Sequence, residues 1–202
     1  MNSTIGKVRE YVTKRMKEEL SLDLCFHNWD HTSVVVSASH RIATTSQISE
    51  QDSEILMIAA WFHDLGFIHQ YQDHEKESQK IAKSFLMSIH FDDKRLSEVI
   101  SCIEATRMPQ SPKTFLERIL CDADMAHLGS PDYLNRLALL RKEWLIKLGK
   151  AFTDKQWYTE NVNFLEQHKY FTLYAWGRYH AGKIKNISRL KNLISKSNWK
   201  PT

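Results

Sequence analysis

Hydrophobic and polar positions fall into helical spacing almost from end to end of this chain. Over residues 5–20, Ile5, Val8, Val12, Met16 and Leu20 recur at intervals of three and four, which predicts an amphipathic helix. His31, Val34, Val35, Ala38 and Ile42 form a second stripe of the same kind. A different pattern follows. Ile55-Leu-Met-Ile-Ala-Ala-Trp-Phe62 is apolar on every side and stops abruptly at His63-Asp64-Leu65-Gly66. A helix that is apolar all round is a buried one, so this run predicts a central helix. Ser49, Glu50 and Asp52 supply its cap and acidic first turn, and Gly66 is placed to end it as a left-handed C-terminal residue.

The same spacing predicts a helix from His74 to Leu86, with Ile81, Phe85 and Leu86 inward. Residues 92–106 follow through Leu96, Val99, Ile100 and Ile103, and another helix spans 113–128, ended by Gly129-Ser-Pro131. Three more are expected near 132–149, 154–168 and 171–195. Met108-Pro-Gln-Ser-Pro112 reads as a loop. No segment alternates as a strand, none repeats, and the short loops mark no domain boundary. The expected fold is all-α: a single-domain helical bundle over residues 1–202.

Composition narrows this little. A chain of 202 residues suits one domain with a substantial core, and 42% hydrophobic with 26% charged residues excludes disorder. The net charge of +4 is mild and not gathered into a basic run, which argues against nucleic acid and suits a small anionic ligand. Cys25, Cys102 and Cys121 show no CxxC pairing and read as core thiols in a reducing compartment. With no signal-type N-terminus and no apolar stretch of the ~18–20 residues a membrane span needs, the chain is expected to be soluble and cytoplasmic.

The costly residues are polar ones on apolar faces. His31 heads the second stripe, and His63-Asp64 closes the buried run. Asp122 lies two helical turns from Phe115 and close to the direction of Ile119, so it is expected to face inward. Asp124 points roughly opposite to Phe115 and reads as a surface or supporting carboxylate. Two imidazoles and two carboxylates from three helices make a mixed N/O donor set, suited to Zn, Mn, Fe, Co or Mg. His27 lies one turn before His31 if the helix extends backward, or in the mouth of the site if Asn28 or Asp30 caps it. There it is placed to protonate a leaving group. His74-Glu75 is an acidic first turn or part of a second-metal or substrate site; Ser78 rules out the HExxH zinc-protease motif. Arg107 and Lys183 are candidates to hold the charge of a small anionic ligand.

The order His31, His63-Asp64, Asp122 resembles the His…His-Asp…Asp signature of the HD superfamily of metal-dependent phosphohydrolases. Trp61-Phe-His-Asp-Leu-Gly66 and Leu120-Cys-Asp-Ala-Asp124 are similar to its sequences, and His27-Asn-x-x-His31-Thr to the opening motif of its cyclic-nucleotide phosphodiesterases. The resemblance covers about residues 22–130, with 131–202 expected to pack on that region. It implies an HD/phosphodiesterase-like bundle with His31, His63, Asp64 and Asp122 as metal ligands, Asp64 also catalytic, and His27 as proton donor. The implied cofactor is a divalent ion, with room for a second. His74 is one candidate for that second ion, although Glu104-Ala-Thr106-Arg107 stands where fuller members carry another histidine. The implied activity is hydrolysis of a phosphate ester, of a nucleotide, by a metal-activated water. The alternatives are a cyclic-nucleotide phosphodiesterase and a non-catalytic metal- or ligand-binding regulatory module. The Glu-Asp of (p)ppGpp hydrolases does not follow Gly66. The expected partner is a small phosphorylated molecule, and homo-oligomer formation is left open.

Overall fold

The computed structural model describes residues 3–197, and among them every regular element is helical. In order they are α1 (Thr4–Glu19), α2 (Trp29–Thr45), α3 (Glu50–Phe62), α4 (His74–Ser88), α5 (Asp93–Ala105) and α6 (Phe115–Asp124). α7 (Tyr133–Leu148), α8 (Asp154–Gln167) and α9 (Leu173–Ser197) complete the set, with 3-10 turns at Leu65–Ile68 and Met125–Gly129. The helix expected over 113–128 is shorter, because α6 stops at Asp124 and tightens into the second 3-10 turn. The chain divides into two compact units, one ending at Asp124 and the other beginning at Met125.

The N-terminal unit is organised on α3, which packs against α1, α2, α4, α5 and α6. Surrounded in this way, α3 buries every residue from Ile55 to Phe62. Burying each large apolar side chain contributes about 1.5–3 kcal/mol, so this run is the centre of the core. The neighbouring helices each add one stripe: Val8, Val12 and Met16 from α1, Val35, Ala38 and Ile42 from α2, Leu96, Val99 and Ile103 from α5. Ser49 caps α3 by accepting from the Asp52 amide at 3.0 Å. Cys121 is buried and donates to the Ala105 carbonyl at 3.1 Å, tying α6 to α5.

Gly66 does not end α3 in a left-handed turn. The helix stops at Phe62 with His63 still right-handed, and the positive-φ glycine among those described is Gly149, which closes α7. Gly66 serves a different need. A Cβ there would lie 2.0 Å from the His74 carbonyl oxygen and 2.6 Å from the Ser78 nitrogen. Its own N–H donates to Ser78 Oγ at 2.8 Å. Glycine is what lets the first turn of α4 lie directly on the turn that follows α3.

The C-terminal unit has its own core of Leu128, Tyr133, Leu137, Trp157, Leu165 and Leu190. Thr153 and Gln156 form a capping box at the start of α8, and α9 packs on α8. No described helix is long and apolar enough to cross a membrane.

Candidate metal centre

The start of α2 is set by Asn28, whose Oδ1 accepts from the amides of Asp30 (3.0 Å) and His31 (3.2 Å). His31 therefore lies in the first turn, on the buried face, and is 2% exposed. At the other end of α3, fully buried His63 donates from Nδ1 to the Ala60 carbonyl at 2.9 Å. That bond selects the tautomer and leaves the Nε2 lone pair facing the site.

Asp64 lies between these imidazoles. Its Oδ2 is 3.3 Å from His31 Nε2 and 3.3 Å from His63 Nε2, while Oδ1 is 3.2 Å from His74 Nε2. A second carboxylate closes the group. Asp124 Oδ1 lies 3.3 Å from His31 Nε2 and 4.0 Å from His63 Nε2, and its Oδ2 accepts from Gln110 Nε2 at 3.2 Å. The sequence pattern favours Asp122 as the fourth ligand and reads Asp124 as a supporting carboxylate; the structure places Asp124 against the imidazoles. The pattern takes Phe115 as its inward reference, yet Phe115 is 46% exposed, so the face opposite to it is the one that looks into the site. Asp122 is itself fully buried, because α6 is enclosed on more than one side.

The electrostatics of this cluster call for a positive charge. Burial disfavours a charge on His31, yet its contacts to Asp124 and Asp64 outweigh that and push its pKa up to about 9. Burial works against His63 too, and the Asp64 charge beside it still raises its pKa. Burial alone would raise both carboxyls; His63 and His31 instead hold Asp64 well below the ordinary range, and His31 holds Asp124 low against Asp64. Among the described residues, His63 Nε2 and Asp64 Oδ2 are buried and find no hydrogen bond of good geometry. Donor atoms of His31, His63 and Asp124 all lie within 4.8 Å of one another. An ion ~2.1 Å from each donor spaces neighbouring donors by about 3.0–3.4 Å, which matches the 3.3 Å separations. The residues fit a divalent cation of borderline softness.

A pH dependence follows for the metal-free protein. His31 binds its proton more tightly folded than unfolded, so its contribution is complete below the ordinary imidazole pKa of ~6.5. That contribution is lost as pH rises through about 9. Asp64 and Asp124, held low, act in the opposite sense: they stabilise above ~4 and lose this as pH falls. Urea unfolding in EDTA is expected to show a midpoint that declines steadily from ~pH 6.5 to ~9. A flat midpoint across that window would remove the protonated-imidazole account.

Around this centre, Phe67 stacks on His74 (ring centroids 3.7 Å apart) and on His27 (4.5 Å). Helical periodicity does not single out Phe67, and its position in the Leu65-Gly-Phe turn beside His63-Asp64 is the available signal. His27 lies outside α2, with its ring 5.7 Å from that of His31 and 6.3 Å from that of His74. Glu75 is buried, 3.7 Å from His74 Nδ1. Arg107 is a surface residue that pairs with Asp73 and, at 3.8 Å, with Glu104. Lys183 belongs to the C-terminal unit, where its contacts are to His168 and the Tyr170 ring.

Helices arranged around an imidazole–carboxylate cluster define a class, and comparison with known proteins gives the family. The HD domain family model matches residues 28–128, half of the chain. The chain belongs to the HD domain family. The fold is similar to that of a predicted HD superfamily hydrolase from an uncultured Thermotogales bacterium. That match has a TM-score of 0.65 at 18% identity and covers 95% of this chain and 92% of that one. A Lactobacillus plantarum protein is similar over 97% of this chain and 100% of its own, with a TM-score of 0.69 at 12% identity. No curated protein matches.

Proposed function

We propose that the protein is a metal-dependent phosphohydrolase that cleaves a phosphate ester of a nucleotide. The observation that carries the reading is the convergence of buried His31, His63, Asp64 and Asp124 side chains, with nitrogen–oxygen separations of 3.3 Å to 4.0 Å. In this proposal those four hold one divalent ion, of the Zn, Mn, Fe, Co or Mg group. When bound, the ion supplies Lewis-acid activation of a water and of the phosphoryl group.

The protein's own residues do the rest. Asp64 offers Oδ2 to the two buried imidazoles and Oδ1 to His74, so its second oxygen can orient the attacking water or serve a second ion with His74 and Glu75. His27, fixed against Phe67, gives a proton to the departing oxygen. Gln110 holds the outer oxygen of Asp124 and keeps its inner oxygen on His31.

His27→Ala is expected to keep the metal content of the wild type and slow turnover by ~10²–10⁴-fold on substrates with poor leaving groups. With a good leaving group such as p-nitrophenol the loss should be much smaller. Equal losses on both would take His27 out of the proton-donor role. Metal analysis, then a screen against nucleoside mono-, di- and triphosphates and cyclic nucleotides, tests the function itself. Bound metal with no turnover of any of them would favour a non-catalytic module.

A further inference from the structure

The C-terminal unit contains a cavity of about 670 Å³, whose lining residues lie between Leu165 and Lys191. Lys183 forms part of its wall and is 3% exposed. Its Nζ donates to the His168 carbonyl, lies 3.5 Å from His168 Nδ1 and stands 5.5 Å over the Tyr170 ring. An ammonium has three donors, and these contacts engage at most two of them. Among the described residues no carboxylate pairs with Lys183. Glu166, which also lines the cavity, is paired instead with Lys191 at 2.7 Å.

A buried ammonium without an anionic partner is costly, and here burial pushes the Lys183 pKa down. A methionine would fill the same volume without that cost. The residue therefore suits a site in which the anion comes from outside. Lys169, on the same lining, adds a second cation. The other chemistry in the wall is aromatic. Trp176 is 58% exposed, and its indole stacks on His180 with centroids 5.5 Å apart and planes at 18°. A solvent-facing indole beside a cavity offers a flat apolar surface to another ring. The volume is far larger than a bare phosphate needs and falls within the ~300–1,000 Å³ of small-molecule sites.

We propose that this cavity binds a small organic anion bearing a flat aromatic ring, of the nucleoside monophosphate class, with its charge on Lys183 and Lys169 and its ring against Trp176. The inference is independent of the metal centre, since every residue it uses belongs to the C-terminal unit.

The test is calorimetric titration of the full-length, EDTA-treated protein with AMP, with inorganic phosphate and with adenosine. AMP is expected to bind with a Kd below ~1 mM, and phosphate or adenosine alone at least ~10-fold more weakly. Lys183→Met should weaken AMP at least ~10-fold, and Trp176→Ala and Lys169→Ala several-fold each, while Asp124→Ala leaves the affinity as it was. Trp176 and Lys169 are not buried, so their variants decide the matter if Lys183→Met does not fold. Absence of AMP binding up to ~5 mM, or AMP affinity unchanged by Trp176→Ala and Lys169→Ala, overturns the proposal. A loss of AMP binding confined to Asp124→Ala does so as well, because it assigns the nucleotide to the metal centre.

Discussion

Under the proposed phosphohydrolase function, Asp124→Ala should purify with little bound divalent metal and hydrolyse phosphate esters at roughly a thousandth of the wild-type rate or less. The carboxylate is one of two anions set against the buried imidazoles, with Oδ1 3.3 Å from His31 Nε2. Removing it takes away a donor and half of the negative charge that balances a divalent ion. Losing several kcal/mol of Lewis-acid stabilisation, about 4 kcal/mol for a thousandfold, sets the scale. The contrast that makes this sharp is Asp122→Asn. Two residues earlier on the same helix, that change keeps the size of the side chain and is expected to leave metal content near the wild-type value. Elemental analysis of the two purified variants reads the difference directly. Metal lost from the Asp122 variant and retained by the Asp124 variant would sink the ligand assignment.

Gly66→Ala should be the most damaging single methyl group in the N-terminal unit. The added carbon meets backbone atoms, at 2.0 Å from the His74 carbonyl oxygen and 2.6 Å from the Ser78 nitrogen, and backbone cannot swing aside as a flexible side chain would. The first turn of α4 has to move away from α3, breaking the Gly66 N–H to Ser78 Oγ bond and drawing His74 off Asp64. Overpacking of this kind costs about 3 kcal/mol, which for a chain of this size lowers Tm by roughly 6–12 °C. A thermal melt checks the first part. The second is checked by metal affinity, which should fall less than in Asp124→Ala because His31, His63 and Asp124 stay in place. A Gly66→Ala protein with wild-type Tm would show that α4 approaches less closely than described.

Both predictions rest on features that differ in how far the sequence pattern reveals them. The central helix was legible because a run apolar on every side has one stable location, the middle of the unit, and α3 is enclosed by five other helices. His31 and His63-Asp64 were legible because a polar group in an apolar stripe is expensive and draws attention to itself. The choice between Asp122 and Asp124 was not legible. Residues two apart on a helix point some 200° apart, so periodicity can choose between them only if one face is dry and the other wet. On α6, Glu117, Ile119, Leu120, Cys121, Asp122 and Ala123 are all buried, and the reference residue Phe115 is exposed. Phe67 escaped for a related reason, since an aromatic beside a buried run looks like core until the imidazoles of His27 and His74 are found stacked on it.

By itself, then, the chain determines its helices, the Ser49 cap of α3, the buried axis at 55–62 and the adjacency of His63 and Asp64. These follow from local geometry: helical periodicity, capping chemistry and the cost of burying charge act within a few residues. The tertiary structure alone decides that Asp124 meets His31, and that Gly66 is there for the contact with α4. It also decides that Lys183 is buried beside His168, with no carboxylate pairing to it among the described residues. Each of these depends on what a second segment places in the way, 12 residues on for Gly66 and Ser78 and far more for His31 and Asp124. No rule about neighbours along the chain contains that information.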